Sequence, residues 1–307
     1  PCRMSIKKYE AFVKIVEVGS LTRAAEELGY TQSGVSHMIS ALEEDFGFVL
    51  LRRSRAGVQL TEEGRRVLPS IRGLLTYHEQ LSQVVSEVHG LRAGTVRVAT
   101  FSSVAVHWLP GMIRSFQMTY PHIEFKLLNG DYHDMEKWLG DGAADLGFVT
   151  LPVRSGWTAV PLAEDPLMAI LPQGHPLTRA ERFPLAAAAT EPMIGLLESS
   201  DHDLRRILAP AGIRPNVKFT TKDDYAIIAM VENGLGVSIL PQLLLEGQTR
   251  SVVALPLDPP AKRSIGLVVP DPARLSPAGL AFARHICTWV RQNTGADCLV
   301  EPDRLPF

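Results

Sequence analysis

Cysteine is scarce in this sequence, with only Cys2, Cys287 and Cys298. An odd number without metal-binding spacing speaks against a disulfide scaffold and fits a reducing cytoplasm. No apolar run approaches the length of a membrane span. The opening PCRMSIKKYE lacks the apolar core of a signal peptide, so neither export nor a membrane partner is expected. The histidines show no ligand pairing, and no metal site is expected. A G-x-S-x-G elbow is absent as well. The cluster SSDHD (199–203) is adjacent in sequence only, whereas triad members meet through folding. The glycines of NGLGVS (233–238) lack the third member of a dinucleotide fingerprint and precede a strand. Catalytic residues and cofactors are therefore expected to be none.

What is present is 307 residues, 46% apolar and 21% charged, which suits two or three ordinary domains. The net charge of −2 is uninformative, but its distribution is not. Between Arg52 and Arg72 the arginines 52, 53, 55, 65, 66 and 72 face only Glu62 and Glu63. A charge run by itself is usually a solvated face. This one follows a pattern that gives it another use.

Ile6 to Val18 carries Ile6, Tyr9, Phe12, Val13 and Val16 at helical spacing, and Gly19 ends it. Ser20 can cap a second helix, Leu21 to Leu28, and Gly29 ends that one. Thr31 can then cap a third, within TQSGVSHMISALEEDFG (31–47). Two short helices joined by a tight glycine turn form a helix-turn-helix, whose second helix enters the DNA major groove N-terminus first. That explains why Gln32, Ser33, Ser36 and His37 precede the apolar residues. They can hydrogen-bond to bases and phosphates, while Val35, Ile39 and Leu42 face the protein. Gly34 costs about 1 kcal/mol of helix propensity. Close approach of DNA would account for it, and so would a close helix contact. FVLLRRSRAGVQLT (48–61) then predicts a two-stranded wing, with Arg52, Arg53 and Arg55 at its base and tip.

Ile6 to Gly64 resembles the winged helix-turn-helix of LysR-type transcriptional regulators without a gap. His37 stands where that family more often has Arg or Lys. Ser33-Gly34 replaces a frequent Pro-Ala or Pro-Ser. The resemblance implies an all-α winged helix-turn-helix domain, a long linker helix and an α/β two-lobed periplasmic-binding-protein-like effector domain. Expected boundaries are 1–60 for DNA binding, 61–91 for the linker and 92–293 for the effector domain, with a tail at 294–307. Lobe I would comprise about 92–160 and 266–293, and lobe II about 161–265. Implied partners are double-stranded promoter DNA, a small-molecule effector and further copies of the chain, as a homodimer or a dimer of dimers. The resemblance also admits RNA polymerase.

Thr61 can cap the linker helix, with Glu62 and Glu63 in its first turn. Val67, Ile71, Leu74, Leu81, Val85 and Val88 form a heptad seam, interrupted by His78, that favours a partner helix over packing on its own domain. Pro69 removes one helical hydrogen bond.

Beyond Thr95 strands alternate with helices, predicting a mostly parallel α/β sheet. Ligands in such folds gather at strand C-termini and helix N-termini. Those ends are Thr100, Phe101, Ser102 and Ser103, then Asn129, Gly130 and Asp131, then Thr150. A second group comprises Glu198, Ser199, Ser200 and Asp201, followed by Thr220, Thr221 and Lys222. Each hydroxyl taken alone is as well explained as a helix cap. Together, with free backbone NH groups, they suit an organic anion. The expected function is ligand-responsive transcription regulation. The alternatives are a cytoplasmic solute-binding protein whose N-terminal helices serve only assembly, and an enzyme with an appended DNA-binding domain.

Overall fold

The computed structural model describes residues 5–54, 57–88, 94–153, 156–197, 202–249, 251–295, 299–300 and 306. The chain divides into two compact units, residues 1–91 with 140–143, and the remainder.

The first unit is α1 (Ile6–Val18), α2 (Leu21–Leu28), α3 (Gln32–Phe46), β1 (Leu51–Ser54), β2 (Gly57–Leu60) and α4 (Glu62–Val88). Gly19, Gly29 and Gly47 end the first three helices at φ of 67°, 71° and 79°, a backbone conformation that only glycine adopts without strain. Hydroxyl caps open α3 and α4, with Thr31 accepting from the Gly34 NH at 3.1 Å and Thr61 from the Gly64 NH at 2.9 Å. Phe12, Ile15, Ala24, Val35, Leu42 and Leu50 are buried together. The small Ala24 and Ala25 lie where α2 meets its neighbours, and larger side chains there would hold the helices apart. β1 and β2 pair antiparallel, with Arg52 opposite Gln59. Glu43 at the rear of α3 accepts from the NH groups of Leu50 and Leu51 at 2.7 and 3.2 Å. That carboxylate ties the wing to the helix.

In the second unit β3 (Gly94–Thr100), α5 (Ser102–His107), α6 (Leu109–Gln117), β4 (Ile123–Asn129), α7 (Tyr132–Gly140) and β5 (Leu146–Leu151) come first. Then follow β6 (Thr158–Pro172), β7 (Phe183–Pro184), β8 (Met193–Leu196), α8 (His202–Leu208), β9 (Val217–Thr221) and α9 (Asp224–Glu232). β10 (Ser238–Pro241), α10 (Gln242–Leu245), β11 (Val252–Asp258), β12 (Lys262–Val269) and α11 (Pro277–Asn293) complete it. The main sheet has the order β4-β3-β5-β12-β6-β11-β7, with β10 also on β6, while β8 and β9 pair separately.

This sheet is more antiparallel than expected. β3 runs parallel to β4 and β5, whereas β12, β10 and β11 all run antiparallel to their neighbours β5 and β6. The reason is β6. Residues 158–172 form one continuous strand, because Glu164 and Asp165 continue its pairing with β12. Its first half pairs with β12, and its second half with β10 and β11. Side chains alternate between two covered faces. Ala169 and Leu171 enter one core of the second lobe and Ile170 the other. In the first lobe Val96 and Val98 meet Phe116 and the α11 residues Phe282 and Ile286, while Ala99 meets Met135 and Leu139 of α7. The last helix thus packs against β3 and α6 of the first lobe.

Replacing Glu43 by alanine leaves the Leu50 and Leu51 NH groups without their acceptor and should lower stability by about 1–3 kcal/mol. Glutamine, which keeps a carbonyl acceptor, should cost less. Chemical denaturation of both variants checks the order.

Candidate functional site

Polar groups occupy the front of α3. Thr31, Gln32, Ser33 and His37 are exposed and Ser36 is half-buried, while Val35, Ile39 and Leu42 are buried behind them. A Cβ on Gly34 would sit 3.1 Å from the Thr31 hydroxyl, so crowding at the cap itself accounts for part of the preference for glycine. Arg52 is exposed on the wing. The side chain of Arg53, and Arg55 altogether, lie outside the described residues. A polar helix front beside a cationic hairpin offers donors for base edges and charge for phosphates.

Within the second unit a cavity of about 400 Å³ opens where β3, β4, β8 and β10 end and α5, α7, α8 and α9 begin. Phe101, Ser102, Ser103, Asn129, Gly130, Asp131 and Lys222 are among the residues that line it. Thr100 is wholly buried and is not among the lining residues; its carbonyl accepts from the Gly130 NH at 3.1 Å. Thr150 supports the wall from behind, 2.9 Å from the Tyr132 hydroxyl. The Thr221 hydroxyl accepts from the Asp223 NH at 3.2 Å, and Thr220 lines a separate groove. Glu198, Ser199, Ser200 and Asp201 fall outside the described residues.

Arg263, in β12 and only 3% exposed, holds the cavity floor. Its Nε donates to Asp165 on β6 at 2.9 Å, and its Nη2 to the Ser103 hydroxyl on α5 at 2.6 Å. Nη1 lies 3.3 Å from the Tyr132 hydroxyl on α7 and 3.7 Å from Asp203 on α8, and the guanidinium stacks 4.7 Å from the Phe101 ring centre. Tyr132 donates its one proton to Asp203 at 2.7 Å, so it accepts from Arg263 and Thr150. Burial alone would lower the Arg263 pKa; the facing Tyr132, Asp165 and Asp203 outweigh it and raise the value. Burial likewise pushes the Tyr132 phenol up. Asp165 completes the cluster by accepting from the Leu243 NH at 2.9 Å.

Residues 6–65 match the family model for the bacterial regulatory helix-turn-helix protein of the lysR family, and residues 89–290 match the LysR substrate binding domain. The chain belongs to the LysR family. The HTH-type transcriptional regulator YvbU of Bacillus subtilis is 33% identical over 91% of this chain and 96% of its own length. The RuBisCO operon transcriptional regulator of Allochromatium vinosum is 30% identical over 92% of this chain and 95% of its own. Among solved structures, full-length OxyR of Pseudomonas aeruginosa aligns with a TM-score of 0.74 at 20% identity, covering 97% of this chain and 99% of that one. CbnR complexed with its target DNA aligns at 0.63 and 21% identity, covering 93% and 100%. These two show a shared fold.

This LysR-type transcriptional regulator therefore couples a DNA-binding helix-turn-helix domain to an effector-binding domain. The linker seam of the regulator divides in two. Val67, Ile71 and Leu74 pack against the helix-turn-helix core, with Ile71 5% exposed, so that half is used within the chain. Leu81 and Val85 are 62% and 48% exposed, joined by Tyr77 and Val84, and the Val88 side chain lies outside the described residues. Sequence reasoning missed Tyr132, Asp203, Asp223, Asp224 and Arg263 of the cavity. A charged residue inside the apolar strand KRSIGLVV (262–269) was the available signal for Arg263. The free NH groups expected to attract an anion are partly taken. Asp223 accepts from those of Tyr225 and Ala226, and Asp131 from that of Asp134.

Arg263→Met leaves Asp165 buried without its cation and should cost about 3–5 kcal/mol, whereas adding Asp165→Leu should recover most of that. Chemical denaturation of the single and double variants checks the pattern.

Proposed function

We propose that this LysR-type regulator reads promoter DNA with Thr31, Gln32, Ser33, Gly34, Ser36 and His37 of the α3 end and with Arg52, Arg53 and Arg55 of the wing. Gln32 offers the bidentate amide that pairs with adenine, and the arginines neutralise phosphates. The regulator acts in the cytoplasm, where its DNA is, and carries out no catalysis. Copies pair through the exposed half of α4, where Tyr77, Leu81, Val84 and Val85 form an apolar stripe on a long helix. A small-molecule effector occupies the cavity floored by Arg263, touching Phe101, Ser102, Ser103, Asn129, Gly130, Asp131 and Lys222. Because Arg263 joins both long strands to α5, α7 and α8, a ligand that alters its partners alters how the two lobes close.

The observation that carries the reading is the division of α3 into an exposed polar front and a buried apolar rear. Fluorescence anisotropy on a duplex from the gene's own upstream region tests it. Arg52→Ala should weaken binding to native and scrambled duplexes alike. It should also flatten the slope of log affinity against log salt by about 0.9 for each phosphate no longer neutralised. Gln32→Ala should cost about 1–3 kcal/mol on the native duplex and little on the scrambled one. Unchanged binding in both variants would remove α3 and the wing from the interface. Leu81→Asp should lower the oligomeric state in sedimentation without unfolding the chain, since that side chain is mostly exposed.

A further inference from the structure

We propose that the effector of this cavity is a cation, a small molecule carrying an ammonium or guanidinium group on a short apolar body. The proposal rests on the reading of the cavity as the effector site and names the ligand class. Asp131, Asp134, Asp203, Asp223 and Asp224 line the cavity, against Lys222 and Arg263. The charge of Arg263 is already engaged, at 2.8 Å from Asp165 behind the wall. Lys222 is exposed at the rim. Arg206 approaches Asp203 at 3.7 Å and compensates one of the acids. Carboxylates remain in excess inside.

An anion would have to find donors at the helix starts that face the cavity. α7 is closed by a reciprocal pair, in which the Asp134 NH donates to Asp131 at 3.0 Å and the Asp131 NH to Asp134 at 3.2 Å. At α9 the Asp223 carboxylate takes the Tyr225 and Ala226 NH groups at 2.9 and 3.4 Å. At α7 and α9 the chain's own acids thus hold the positions an anionic ligand would use, and they repel a second negative charge. Burial pushes the Asp224 carboxyl above the usual range even though it hydrogen-bonds to Ser102, so a cation placed beside it would relieve an unfavourable charge. Leu196, Ile227 and Ile239 supply apolar wall for the body of such a ligand.

Three five-carbon probes separate the possibilities on the full-length protein, by calorimetric titration at millimolar ligand: 1,5-diaminopentane, 1,5-pentanediol and glutarate. Asp131→Asn with Asp224→Asn keeps shape and capping while removing charge, and each single variant serves as a second measurement. Asn129→Trp fills the cavity from an exposed lining position. The diamine should bind, the diol and glutarate should not, and the double variant should lose roughly tenfold or more in affinity. Binding should vanish in Asn129→Trp. Glutarate binding that Asn129→Trp abolishes would overturn the cationic ligand and leave the cavity standing as the effector site. Diamine binding that survives Asn129→Trp would sink the cavity reading and the proposal with it. Absence of diamine binding, or binding indifferent to the aspartate substitutions, would overturn the proposal alone.

Discussion

A single buried ion pair, Arg263 with Asp165, joins the two long strands β12 and β6 of the second unit. Removing two charges from water costs several kcal/mol per ion, and that cost is met only where every donor and acceptor is used. Ser103, Tyr132, Asp203 and the Leu243 NH complete the set. Those partners begin α5, α7, α8 and α10, so the pair specifies how four helices are placed around the cavity. A hydrophobic substitute could match its stability without holding the helices to one arrangement, as the hydrogen-bonded cluster does.

The same economy governs the first unit. Hydroxyls close the starts of α2, α3 and α4, and glycines end α1, α2 and α3 where the chain must turn sharply, while Gln32 and His37 at the front of α3 stay exposed. Glu43 meanwhile orients the wing from the rear of that helix. A rigid scaffold behind and polar groups presented in front are what a DNA reader needs, because ordering the groups only on binding would weaken it.

How much of this is legible in the sequence depends on distance along the chain. α1, α2 and α3, their caps and the wing are readable because the signals lie within a few residues of one another. The continuity of β6 is not, since Glu164 and Asp165 look like a break until their partners Lys262, Ser264 and Arg263 are known. The linker seam reads as one stripe because periodicity cannot say which neighbour covers Val67 or Ile71 and leaves Leu81 bare. The hydroxyls of Ser102 and Ser103 are visible at a strand end, but the charge of the cavity is hidden. It is the sum of aspartates from three helix starts, and only tertiary structure brings them together.

DNA recognition by α3 and its wing, delivered in pairs, is the central claim, and a hydroxyl-radical footprint of the full-length protein on its own upstream DNA tests it most directly. Protection should fall in paired segments on one face of the duplex, separated by whole turns of about 10–10.5 base pairs. Uniform protection without register, or none at all, would contradict it.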